Sequence, residues 1–197
     1  MKRRDLLKMI VAATGTALVG SNVLAYTVLP MEDNQGSGYS IDDVAFFNEV
    51  GESIIPRTDT PGAKDANVGS MIAILLADCY SPDQRKFFNE GMLAIKSNAK
   101  SRYSKEFVLL TPEQRLALLS SLDEEANRHN KKMFSIKTEI NANESALPHY
   151  FSMFKQLVLF SFFSSEVGAT KVLRYEAVSG FYDGAIPYKK GDKVWVT

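Results

Sequence analysis

The 197-residue chain reads as an all-α protein, a single bundle of about five helices followed by an irregular, aromatic-rich C-terminal tail. Three observations predict this. Apolar residues recur three and four positions apart in five separate segments, the period of one helix face. Pro, Gly, Ser and Asn separate those segments, and several open on a capping residue. Strict apolar–polar alternation is sustained nowhere, apart from a weak hint at Lys193-Val194-Trp195-Val196, so no strand is expected.

The first helix starts at Ser40, whose hydroxyl suits an N-cap. Asp42 and Asp43 follow in the first turn, where a carboxylate favours the helix dipole. Val44, Phe47, Val50, Ile54 and Ile55 form the inward face, and Pro56 ends the helix by restricting the residue before it. Pro56-Arg57-Thr58-Asp59-Thr60-Pro61-Gly62-Ala63-Lys64-Asp65 is a compact, polar loop. A second helix runs from about residue 67 to 79, with Val68, Met71, Ile72, Leu75, Leu76 and Cys79 inward. Ser81-Pro82 opens the third, since proline suits the first helical position. It extends to about residue 101 and turns Phe87, Phe88, Met92 and Ile95 inward. Thr111-Pro112-Glu113-Gln114 opens the fourth with a capping box. Its apolar face is Leu116, Leu119 and Leu122, and it continues through the charged stretch 123–132. Residues 141–147 break the pattern. The last helix covers about 149–163, with Phe151, Phe154, Leu157, Val158 and Phe162 inward. Leu159, Phe160 and Phe163 make it apolar nearly all round, as befits a helix at the centre of a bundle.

The N-terminus carries a different message. Lys2, Arg3, Arg4 and Lys8 precede an apolar run over residues 9–19, and Val23 and Ala25 supply small residues at a cleavage point. That is the layout of a secretory signal. The adjacent Arg3 and Arg4, followed by leucines and a lysine, resemble the twin-arginine export signal, whose route carries folded proteins. Two alternatives stay open: an ordinary signal for unfolded export, and an uncleaved anchor, since residues 6–29 are long enough to span a bilayer. The expected organisation is a signal over 1–25, a polar linker over 26–39 and one helical domain over 40–197. The expected location is the periplasm.

Composition sets further bounds. Removing the signal leaves about 170 residues, enough for one domain. The precursor has net charge +0 and its first 25 residues carry +3, so the rest is near −3. That balance argues against a nucleic-acid partner, which calls for a basic face. Cys79 is the chain's single cysteine, which excludes an intrachain disulfide.

No catalytic constellation emerges. His129 sits in a charged stretch and His149 at the start of the last helix, neither with a partner at metal-ligand spacing. No glycine-rich loop follows a strand, and no serine lies in a nucleophile elbow. Asp123-Glu124-Glu125 reads as solvated surface, and Glu166 as a cap or surface residue. The expectation is therefore no catalytic residue, no metal and no cofactor held by this chain. The candidate functional residues are those of a partner interface instead. Of the chain's aromatic residues, 11 of 21 lie from Tyr150 onward. Tyr175, Phe181, Tyr182, Tyr188 and Trp195 fall in the turn-rich tail, and Tyr and Trp are favoured at interface centres. Pro56, Arg57, Asp59, Pro61 and Gly62 of the polar loop are the second group. Packing of the tail rings on their own bundle, and a purely connecting role for the loop, are the competing readings.

Three blocks of residues carry a family resemblance. Phe46-Phe47 through Ile54-Ile55-Pro56-Arg57-Thr58-Asp59-Thr60-Pro61-Gly62-Ala63 is the most specific. The second is Phe107 with Leu110-Thr111-Pro112-Glu113-Gln114-Arg115. The third is Phe163-Ser164-Ser165-Glu166-Val167-Gly168-Ala169, then Tyr175 and Gly180-Phe181-Tyr182-Asp183-Gly184. Together they resemble the gluconate 2-dehydrogenase subunit 3 family, with Ser179-Gly180 standing where Pro-Gly is expected. The resemblance implies a small non-catalytic subunit of a periplasmic sugar or alcohol dehydrogenase. It implies a large partner subunit that holds FAD, a cytochrome c subunit that accepts electrons, and the twin-arginine machinery as export partner. An autonomous periplasmic ligand-binding bundle or enzyme is the alternative, because bundles can hold sites between their helices.

Overall fold

The computed structural model describes residues 38–140, 148–178, 180, 184–187 and 189–196. Five α-helices dominate: α1 (Ile41–Ile54), α2 (Val68–Cys79), α3 (Pro82–Tyr103), α4 (Pro112–Ile140) and α5 (Tyr150–Phe163). A 3-10 turn (Phe107–Leu109) joins α3 to α4, and a π-helical turn (Gly168–Val172) follows α5. The fold is the expected all-α bundle. Among the described residues it departs from that expectation in a short parallel ladder in the tail, in which β1 (Arg174–Tyr175) pairs with β2 (Trp195–Val196). The weak alternation at residues 193–196 marked β2, whereas β1 has no alternating signal. No helix among the described residues is long and apolar enough to cross a membrane.

Local chemistry sets the helix starts. Ser40 Oγ accepts from the Asp43 amide at 3.2 Å, and the Asp43 carboxylate accepts from the Ser40 amide at 3.2 Å. Ser81 with Gln84, and Thr111 with Gln114, form the same reciprocal arrangement. Each box satisfies two backbone donors that would otherwise lack a partner. Tyr39, assigned to the linker, belongs to the domain. Its hydroxyl donates to Asn89 Oδ1 at 2.9 Å, and its ring meets Phe47 edge-on.

The core is a phenylalanine cluster. Phe154 of α5 stacks on Phe88 of α3 with centroids 4.0 Å apart, and Phe46 and Phe47 of α1 close around it at 6.3 and 6.2 Å. Phe46 also meets Phe107 at 5.2 Å. α5 touches each of the other four helices, which makes it the central element.

Three expected faces need correction. On α2, Met71 and Cys79 are exposed and Leu75 is half-buried, while Gly69, Ser70 and Ala73 are buried. Close approach to α1 selects small residues there: a Cβ on Gly69 would lie 2.4 Å from the Val44 carbonyl oxygen. On α4, Leu116 is exposed, and Leu118, Leu119, Leu122 and Ala126 form the buried stripe. Two consecutive steps of three residues drift off a 3.6-residue face, whereas alternating steps of three and four hold it. On α5, Leu159, Phe160 and Phe163 point outward despite the helix's central position. Phe46, by contrast, is buried although it lay outside the expected face. Phe87 is half-buried.

Removing the central ring should be costly. Phe154→Ala leaves a cavity between α1, α3 and α5, and a loss of about 4 kcal/mol in unfolding free energy is expected. Urea denaturation of the purified domain measures it, and a loss below about 1 kcal/mol would show that the cluster does not organise the core.

Candidate functional site

The 56–65 loop is built by two carboxylates. Glu52, in the last turn of α1, accepts from the Arg57 amide at 2.9 Å and from the Lys64 amide at 2.9 Å. One side chain thereby clamps both ends of the loop. Asp65 accepts from the Gly62 amide at 2.8 Å and pairs with the Arg57 guanidinium, whose Nε donates at 2.9 Å. The Ala63 amide donates to the Ile55 carbonyl at 2.9 Å. Gly62 is required because a Cβ there would sit 2.5 Å from the Arg57 nitrogen and 2.7 Å from the Glu52 carboxylate. Pro56, Arg57 and Asp59 are exposed on this frame, Pro61 is half-buried and Gly62 is buried.

A second carboxylate hub lies beneath the loop. Glu49 receives Lys64 on one oxygen and Arg115 on the other. Arg115 also donates to the Val108 carbonyl at 2.7 Å and the Phe107 carbonyl at 3.3 Å. The hub joins α1, the loop, the 3-10 turn and the start of α4. Two of the three resemblance blocks therefore meet at one side chain. The third approaches from the other side, because Val167 and Lys171 line an open groove with Arg57, Thr58, Asp59 and Pro61. The π-turn has the space it needs because Gly168 lacks a Cβ; one would fall 2.0 Å from the Phe162 carbonyl oxygen. Glu166 is exposed beside it, and its backbone carbonyl accepts from the Thr170 hydroxyl at 2.7 Å.

The tail adjoins the same turn. Lys193 Nζ donates to the Lys171 carbonyl at 2.8 Å. Arg174 lies 3.7 Å from the centre of the Trp195 ring. Tyr175 and Trp195 are half-exposed, so the tail presents these rings to solvent rather than burying them in the bundle. The structure thus brings both the loop and the tail ladder to the π-turn. Phe181, Tyr182 and Tyr188 lie outside the described residues, as do Arg3 and Arg4.

Glu49, Glu52, Asp65 and Arg115, which frame the loop, were missed by the sequence reading. The available signal was the position of Glu49 and Glu52 in the second half of α1. The helix dipole disfavours acids there, so a carboxylate at that end calls for donors of its own.

The histidines form a structural pair. His149 caps α5: its Nδ1 accepts from the Phe151 amide at 3.3 Å, and its own amide donates to Asn130 Oδ1 at 3.0 Å. His129 meets it edge-on, with centroids 5.6 Å apart. Burial pushes the His149 pKa below its ordinary 6.5, and His129 adds to this while Glu125 opposes it. Among the described residues, no three His, Cys, Asp or Glu side chains group as metal ligands. The arrangement comprises a loop held by carboxylates, a groove and a half-exposed aromatic ladder.

The chain matches a family model described as gluconate 2-dehydrogenase subunit 3 over residues 41–180. The matched span runs from the start of α1 through the loop, the Glu49 hub and the π-turn. No curated protein and no solved structure matches the chain.

Two outcomes are expected. Gly62→Ala forces the Arg57 backbone or the Glu52 carboxylate to move, and should cost about 2 kcal/mol, lowering the melting midpoint by about 5 °C; an unchanged melt would refute the packing argument. The neutral His149 cap contributes stability that is complete above pH 6.5. It is lost as pH falls from about 6.5 through the lower folded-state pKa, because the unfolded chain takes up a proton that the folded one resists. His149→Asn retains a capping side chain without titrating. Its melting midpoint should therefore fall less than that of the wild type between pH 7.5 and 5.5.

Proposed function

The chain belongs to the gluconate 2-dehydrogenase subunit 3 family, an accessory subunit of a dehydrogenase complex, and on that premise we propose a finer role. It is the non-catalytic small subunit of a periplasmic FAD-dependent sugar or alcohol dehydrogenase of the gluconate type. It assists maturation of the flavoprotein subunit and brings it through the twin-arginine route. FAD resides in that larger partner, and a cytochrome c subunit completes the electron path.

The observation that carries the reading is the Arg3-Arg4 pair ahead of the apolar run at 9–19, on a chain of this subunit family. A signal for folded export on an accessory subunit makes mechanical sense if the subunit binds its partner before crossing. The loop and tail support it: Pro56, Arg57 and Asp59 are exposed on a frame held by backbone-to-carboxylate bonds, and preorganisation of that kind lowers the cost of association.

The test is export of the pair. With Arg3→Lys and Arg4→Lys together, both this chain and the flavoprotein should remain in the cytoplasm, as read by cell fractionation and dehydrogenase activity. Normal arrival of the flavoprotein in the periplasm would overturn the export role.

A further inference from the structure

The C-terminal tail carries charge opposite to the body it packs on. Residues 168–197 hold Lys171, Arg174, Lys189, Lys190 and Lys193 against Glu176, Asp183 and Asp192, a net +2. The chain beyond residue 25 is near −3, so residues 26–167 are near −5. The ion pairs among the described residues all lie in the body, at Asp43, Glu49, Asp65 and Asp123 with their lysine and arginine partners. None of the five tail cations meets a carboxylate among the described residues. Two are held in place without being neutralised: Arg174 by the Trp195 ring, and Lys193 by the Lys171 carbonyl.

Apolar surface accompanies these cations. Val178 is 79% exposed, Val194 68%, Ile186 52%, Tyr175 48% and Trp195 45%. Arg174, Ile186, Pro187, Lys193, Val194 and Trp195 line one open groove together with Gly184 and a single carboxylate, Asp192, which accepts from the Lys189 amide at 2.8 Å. A contiguous apolar patch rimmed by polar residues marks an interaction site. The ladder beneath it pairs only two residues on each strand, and its flanking backbone bonds, Arg174 N to Val194 O and Glu176 N to Val196 O, are both 2.9 Å. A two-stranded ladder of that size is marginal alone and gains from a partner laid against it.

We propose that this groove receives a carboxylate-rich segment of the larger dehydrogenase subunit. An apolar side chain of that segment packs on Trp195, Ile186 and Pro187, and its acidic neighbours face Lys189, Lys190 and Lys193. The inference rests on the accessory-subunit reading and adds the chemistry of the contact. Charge complementarity selects the occupant: the tail is net positive and the body net negative, so an acidic segment is drawn to the tail in preference to the body. An anionic membrane offers the same charge. The concave arrangement of the apolar residues favours a protein side chain, which enters a groove, over a lipid surface, which calls for protruding rings.

The experiment is co-purification of the dehydrogenase subunit on the tagged full-length chain, across a range of NaCl concentrations. The wild type is compared with Lys189→Glu/Lys190→Glu and with Trp195→Ala. Both variants should recover about tenfold less partner at low salt, and wild-type recovery should fall as salt rises. Melting midpoints should stay within about 2 °C of the wild type, since the altered side chains are exposed. Equal recovery by wild type and both variants would exclude the groove while leaving the subunit reading intact. Failure of the wild type to recover any dehydrogenase subunit would remove that reading and this inference with it. Vesicles of phosphatidylglycerol supply the third arm: wild-type vesicle binding that the lysine variant abolishes, with partner recovery undisturbed, would assign the patch to lipid and overturn the proposal.

Discussion

The Glu49 carboxylate holds together the part of this molecule that meets the outside. It sits mid-helix on α1 and takes Lys64 and Arg115, which lie 15 and 66 residues away in sequence. Arg115 in turn fixes the carbonyls that close the 3-10 turn. A charge taken out of water must be compensated by donors, and breaking such a pair by removing one partner costs about 3–5 kcal/mol. The Glu49–Arg115 pair is largely screened from solvent, with 16% and 13% of the side chains accessible. Loop, turn and two helices therefore keep their relative positions through one side chain, with Glu52 fixing the loop's own shape.

This division of labour separates the packing of the core from the shaping of the loop. Phe46, Phe47, Phe88 and Phe154 hold the helices together through apolar contact, which is non-directional and tolerates small shifts. The carboxylates Glu49, Glu52 and Asp65 aim specific backbone amides, which is directional. A loop placed by hydrogen bonds to side chains of the helix before it can keep a defined shape while Arg57 and Asp59 remain in water. The half-exposed rings and cations of the tail add surface whose neighbours are polar and solvent-facing.

Much of the architecture was legible in the chain itself, and the reasons differ by feature. Ser40, Ser81 and Thr111 marked helix starts because capping is local chemistry, decided by residues three apart. Pro56 marked an end for the same reason. The buried faces were less legible. Gly69 and Ala73 are buried because α1 comes close, and a search for large apolar residues passes over them in favour of Met71 and Cys79. Leu116 was misassigned because its spacing to Leu119 matches a helix period only once. The loop was identified as a special segment from its prolines and Gly62, but its scaffold was not, since Glu52 and Arg115 declare their roles only when the backbone has brought them together. The parallel pairing of Arg174 with Trp195 spans the whole tail and has no local signal at its first strand.

The central place of α5 has a consequence for the order of events in the cell. The helix touching all four others is the last to be synthesised, since its final residue is Phe163 of a 197-residue chain. Until it emerges from the ribosome, α1 to α4 present a phenylalanine-lined trough with nothing to fill it. Domains form as units during synthesis at about 5–20 residues per second, so the bundle closes only after Phe163 has left the ribosome. Residues 1–37 are thus synthesised many seconds before there is a folded body behind them. A transport route that accepts only finished proteins would impose the waiting period that this helix order requires.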